Sequence, residues 1–145
     1  MMAGGKYIFH MGTQDPTVAQ RRVVRAIADD SFTRTVPDDF GCLPCPQTWR
    51  PDAKTAIALR AKYVSPHVDD WVGIGSPPSR YVALFWVVEM PRFERLTLQV
   101  GTEVCQMSLG DFVVFNDTVM HSVFADKFWR GCAYQARLTR SARGS

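Results

Sequence analysis

From Ile57 to the C-terminus the apolar residues come in short segments, and turn residues separate them. This pattern most constrains the fold. "RYVALFWVVEM" (80–90), "RLTLQVG" (95–101), "TEVCQM" (102–107), "DFVVF" (111–115), "HSVF" (121–124) and "WRGCAYQARL" (129–138) each have the length of a strand. None is long enough to make a helix that could carry a core by itself. Upstream, Ile57, Leu59, Ala61 and Tyr63 alternate with Ala58, Arg60 and Lys62, the period of a half-buried strand. We expect that strand to run on past Pro66. "YVALFWVV" (81–88), the longest apolar run, has the length of a buried strand.

The N-terminal third differs. "KYIFHM" (6–11) reads as a short strand. Asp15 followed by Pro16 is a helix start, and Ala19, Val23, Val24, Ile27 and Ala28 then recur at helical spacing, so residues 16–29 are expected to form an amphipathic helix with its arginines outward. Five proline and glycine positions between Val36 and Asp52 predict a loop there. One helix followed by at least six strands points to a small antiparallel barrel or sandwich with a helical brace. At 145 residues, we expect one domain: an N-terminal strand, helix and loop (1–52), a β-barrel core (53–138) and a basic tail (139–145).

Composition narrows the class. Hydrophobic residues at 46% and charged residues at 21% belong to a globular domain, and no apolar run approaches the ~20 residues of a bilayer-crossing helix. The first ten residues lack a signal-peptide pattern, so a cytoplasmic protein with no membrane partner is expected. The net charge of +3 is unevenly placed, with Arg21, Arg22 and Arg25 together and Arg137, Arg140 and Arg143 in the tail. Such runs can bind phosphates, although a solvated face is the commoner outcome. "CLPC" (42–45) has the spacing of half a zinc knuckle, but Cys105 and Cys132 lie in separate strands, so ordinary thiols are expected.

The chain has three histidines. His10 reads as a satisfied strand residue. His67 stands in "SPHVDDW" (65–71), two before Asp69, and residues at i and i+2 of a strand face the same way. Asp70 would face the other way. His121 follows the turn "NDT" about fifty residues later, and Arg130 lies nine residues further on in an otherwise apolar segment. A buried arginine needs a partner, although an edge-strand arginine facing solvent fits the same period. Trp71, Trp86 and Trp129 read as core.

The order His-x-Asp, distal His, then Arg nine residues on resembles the iron(II)/2-oxoglutarate-dependent dioxygenases, and within them the prolyl-hydroxylase-like branch. "LRAKYVSPHVDDW" is similar to the family's first metal strand and "GDFVVFNDTVMHSV" to the segment carrying its distal histidine. The resemblance covers roughly residues 57–138. It implies a double-stranded β-helix, a jelly-roll or cupin-like barrel, with His67, Asp69 and His121 as ligands of Fe(II). It also implies that 2-oxoglutarate and dioxygen occupy the remaining metal positions and that Arg130 holds the far carboxylate, with Tyr63 or Tyr134 as a helper. The implied activity hydroxylates or oxidises a substrate, whether a protein side chain, a small molecule or a nucleic acid, and releases succinate and carbon dioxide. Two other readings stay open: a barrel of the same fold without turnover, serving as a binding or structural module, and a cupin-like metalloenzyme that would not need Arg130.

Overall fold

The structure is a computed structural model that describes residues 5–26, 32–35, 39–45, 49–51, 57–60, 63–67, 82–125 and 132–140, with the backbone alone for 32–35, 49–51, 57–60 and 132–140. Eleven strands and one helix are described: β1 (Ile8–Thr13), α1 (Val18–Arg25), β2 (Phe32–Thr35), β3 (Trp49–Pro51), β4 (Ile57–Arg60), β5 (Tyr63–His67), β6 (Val82–Glu89), β7 (Leu96–Val100), β8 (Glu103–Met107), β9 (Asp111–Phe115), β10 (His121–Ala125) and β11 (Cys132–Arg140).

The topology is that of one long hairpin wound into a barrel. β7 pairs with β8, β6 with β9, β5 with β10 and β4 with β11, all antiparallel. Each pair encloses the one before it in the chain. The winding leaves two facing sheets, one in the order β5-β10-β7-β8 and one containing β9-β6-β11-β4. This is a double-stranded β-helix, or jelly roll, as expected. The N-terminal segment widens the larger sheet, with β1 added beside β9, β2 beside β4, and β3 along β11.

Two apolar clusters explain why β6 lacks a polar face. Ala83, Phe85 and Val87 point between the sheets to meet Leu96, Leu98, Val100, Val113, Phe115 and Val123. Val82, Leu84, Trp86 and Val88 point outward into a second cluster beneath Val24 of α1 and Phe40. A strand in the middle of three layers has to be apolar on both sides, and each large side chain so buried contributes about 1.5–3 kcal/mol. The helix therefore braces the barrel from outside.

The structure departs from the sequence reading in four places. The alternating stretch from Ile57 is two strands: β4 lies in the larger sheet and β5 in the smaller. The helix is capped by Thr17, not Asp15, through a capping box in which Thr17 Oγ1 accepts from Gln20 N and Gln20 Oε1 accepts from Thr17 N. Its buried face centres on Gln20 and Val24, because Gln20 Nε2 also donates to the Cys42 carbonyl; Ala19 is exposed. Ile27 and Ala28 lie outside the described residues. Within the expected loop, Trp49–Pro51 forms a short strand, which the edge position of Pro51 permits.

The helix arginines lie on the outward face as expected, Arg22 and Arg25 exposed and Arg21 partly so, but Arg21 and Arg25 are also engaged there. Both reach across to Glu89 at the end of β6, with Nη2–Oε distances of 2.9 and 2.6 Å. Burial alone would push the Glu89 carboxyl up, but hydrogen bonds and charge from the two guanidiniums outweigh it and hold it below its ordinary range.

Candidate metal centre

His67 and His121 are direct register partners across the β5–β10 ladder. Their ring centres are 4.4 Å apart and the planes meet at 57°. His121 is 4% exposed and opens β10, with its ring centre 5.0 Å from that of Phe115 in an edge-to-face arrangement. His67 is half-buried at the barrel rim. One ring is dry and the other can be reached from outside.

A β-bulge places His67 there. Val64 pairs with Val123 and His67 with His121, so Ser65 and Pro66 together oppose the single residue Ser122. A regular strand would put Tyr63, Ser65 and His67 on one face. The extra residue reverses the parity, so that Val64 packs on the inner cluster and His67 still turns to His121. Pro66 suits the bulge because it has no N–H to leave unpaired.

The same reversal corrects the place of Tyr63. It is 55% exposed and lies in register with Phe124 on the outer side of the smaller sheet, so it is not brought to the histidine pair. Tyr134 lies in β11, in register with Trp86 of β6. Asp69, Asp70 and Arg130 lie outside the described residues, as do Trp71 and Trp129.

Both rings are held by the same local device. His67 Nδ1 lies 2.7 Å from the carbonyl of Ser65, and His121 Nδ1 lies 2.8 Å from that of Val119. A carbonyl can only accept, so each Nδ1 is the donor, and in the neutral ring Nε2 is then the nitrogen with the lone pair that a metal needs. Such a partner also fixes the orientation of the ring. These carbonyls could not be found from side-chain identity, since every residue carries one.

The pair passes a simple test for a shared ion. With nitrogen about 2.1 Å from the metal and about 1.1 Å from its ring centre, two rings at a right angle stand about 4.5 Å apart. The observed 4.4 Å fits two adjacent ligand positions on one ion. Among the described residues no group of three or more His, Cys, Asp or Glu comes together. A third protein ligand would therefore have to come from elsewhere in the chain.

Other residues singled out in the sequence fall away from this centre. His10 lies on β1 with its ring 5.7 Å from Phe112, a member of the outer cluster. Trp86 is fully buried in that cluster and its Nε1 donates to the Gln14 carbonyl at 2.9 Å. Cys45 packs on the outer cluster, whereas Cys105 belongs to the inner one, on the opposite face of the sheet. One zinc cannot join them. Burial pushes the Cys45 thiol up to about 11; burial, with Asp111 adding to it, does the same for Cys105. Neither is disposed to be a thiolate.

No protein-family model and no curated protein matches the sequence. Among solved structures the chain is similar to a cupin 2 domain-containing protein from Halorhodospira halophila, at 10% identity and a TM-score of 0.45, over 77% of this chain and 67% of that one. It is also similar to YcfD, a ribosomal oxygenase from Escherichia coli, one structure of which is in complex with cobalt and 2-oxoglutarate. That match has 14% identity and a TM-score of 0.41, and covers 61% of this chain but 24% of YcfD, so the chain spans about a quarter of that protein's length. No helix among the described residues is long and apolar enough to cross a membrane.

Proposed function

We propose that the protein is a non-haem iron(II)/2-oxoglutarate-dependent dioxygenase acting on a substrate bound at the barrel mouth. The observation that supports this best is the histidine pair, two rings 4.4 Å apart with each Nδ1 committed to a carbonyl. In this reading His67, His121 and Asp69 hold the metal, two imidazoles and one carboxylate being the ligand set of such oxygenases. When bound, iron(II) supplies the oxidative chemistry, in which 2-oxoglutarate and dioxygen are consumed, substrate is hydroxylated or oxidised, and succinate and carbon dioxide leave.

The remaining work belongs to the chain. Arg130 binds the far carboxylate of 2-oxoglutarate through its guanidinium fork. Phe115 and the inner cluster keep water from the His121 side of the metal, while His67 stands where a ligand enters. The carbonyls of Ser65 and Val119 hold both rings in the ligating tautomer.

Anaerobic titration with iron(II) and then 2-oxoglutarate tests metal, cosubstrate and geometry together. A weak visible charge-transfer band that needs both components is the expected result. A protein that takes up iron but shows neither the band nor stabilisation by 2-oxoglutarate is not an oxygenase of this class.

A further inference from the structure

On the helix side of the barrel, well away from the histidine pair, two adjoining hollows share the residues Arg21, Arg92 and Leu109. The first, about 330 Å³, is also lined by Arg25 and Glu89; the second, about 370 Å³, reaches Asp15 and Ser108. Together they make a groove between α1 and the two turns that leave β6 and β8. Its cations are all arginines, whose planar forks suit phosphate oxygens better than the point charge of lysine does. Glu89 bridges Arg21 and Arg25 at 2.9 and 2.6 Å, which fixes both guanidiniums in place while cancelling only one of the two charges.

The turn after β6 adds an unusual neighbour. Glu94 N donates to the Pro91 carbonyl at 3.1 Å, closing a turn with Arg92 and Phe93 at its tip. Phe93 is 98% exposed. A lone exposed apolar residue needs no explanation. This one follows directly on an arginine that lines the groove and stands two residues before Arg95, which is also exposed. Neither Arg92 nor Arg95 forms an ion pair among the described residues.

We propose that this groove and turn bind single-stranded nucleic acid, with Arg21 and Arg92 taking backbone phosphates and Phe93 stacking on a base. A charged channel for the backbone beside an open aromatic face is the physical requirement for single strands, whose bases are free to stack. A duplex hides those faces. An acidic peptide would satisfy the arginines but offer Phe93 nothing flat. The site is independent of whether the histidine pair holds a metal.

The test is fluorescence anisotropy with a short labelled single-stranded oligonucleotide, run against its duplex and against polyglutamate. Wild type should bind the single strand in preference to both and should weaken as salt rises. Arg92→Gln should reduce the slope of log affinity against log salt by about 0.7, the value of one single-strand phosphate. Phe93→Ala should weaken binding about tenfold and leave that slope unchanged. Both residues are exposed on a turn, so neither change threatens the fold. Equal affinity for duplex or polyglutamate, no binding at low salt, or wild-type binding by both variants would overturn the proposal.

Discussion

His67 and His121 stand opposite one another on β5 and β10, and the ladder between them is irregular because two residues of β5 share one partner on β10. In the proposed reading a single ion bound by both rings would tie the two strands together at the barrel rim. His67→Ala, His121→Ala and Asp69→Ala should each abolish the stabilisation that manganese confers on wild type in a melting experiment. At ~100 times its dissociation constant a ligand contributes about 2.7 kcal/mol, several degrees for a domain of this size. Asp70→Ala should keep the full shift; loss of the shift on Asp70→Ala and its retention on Asp69→Ala would exchange their roles.

Arg130 separates an oxygenase from other metal-binding barrels. If Arg130 faces the interior and binds the far carboxylate as proposed, losing one partner of that pair costs about 2–5 kcal/mol of binding, so Arg130→Ala should weaken 2-oxoglutarate by roughly 30-fold or more while leaving metal affinity alone. Lysine should rescue it in part, having lost the fork. Tyr63→Ala should change neither affinity, because that ring is on the outer side of the sheet. Calorimetric titration of 2-oxoglutarate into the manganese form reads all three.

Glu89 makes the attachment of the helix sensitive to acid. Its carboxyl titrates below the ordinary value of 4.5, so the folded state holds the charged form more tightly than the unfolded state does. That stabilisation is complete above the unfolded value and is lost as pH falls through the lowered folded value. Glu89→Gln should destabilise by about 1 kcal/mol near neutrality, typical of a partly exposed ion pair. In urea titrations at successive pH values the gap between variant and wild type should close in acid. A gap that stayed constant would mean that the two arginines contribute through packing alone.

Trp86 bears on stability without touching the metal. Its indole N–H donates to the Gln14 carbonyl at 2.9 Å and, more distantly, to that of Gly110 at 3.2 Å. Phenylalanine keeps most of the apolar contact with Phe40 but takes the indole donor from the half-buried Gln14 carbonyl, while Gly110 O keeps its bond from Gln14 N. Trp86→Phe should cost about 1–3 kcal/mol in denaturant unfolding. Metal affinity should be unchanged, since Trp86 points to the outer side of the larger sheet, whereas His121 lies on β10 of the smaller sheet against Phe115 of the inner cluster.

Much of this architecture could be read from the sequence because each strand from β6 onward is a local event. Gly110 and Asn116 bound the segment 111–115, and the unbroken apolar run of β6 marks a buried strand, although its burial on both faces needs the helix and Phe40 that cover it. Two of the three expected metal ligands, His67 and His121, are brought together as spacing and resemblance implied. The break between β4 and β5 left no mark, since neither glycine nor proline stands at Ala61 or Lys62. The bulge was hidden for a related reason: Pro66 was plain to see, but parity can be counted only once the partner strand is known. The arginine pair on α1 was equally opaque. Its charges were evident, but its partner, Glu89, is more than sixty residues away in the chain.

The nested pairing of the strands also sets an order in time. Only β7 and β8 meet across a two-residue turn, where Gly101 adopts φ +58°; every other pair must close over the one inside it. Closing a longer loop costs more entropy before any contact repays it, so zippering proceeds outward from β7–β8 through β6–β9 to β5–β10. His67 and His121 are therefore expected to meet late in folding. A metal bound there can do little to hasten refolding; its effect should appear as a slower unfolding rate, which makes bound metal a brake on opening rather than a seed for folding.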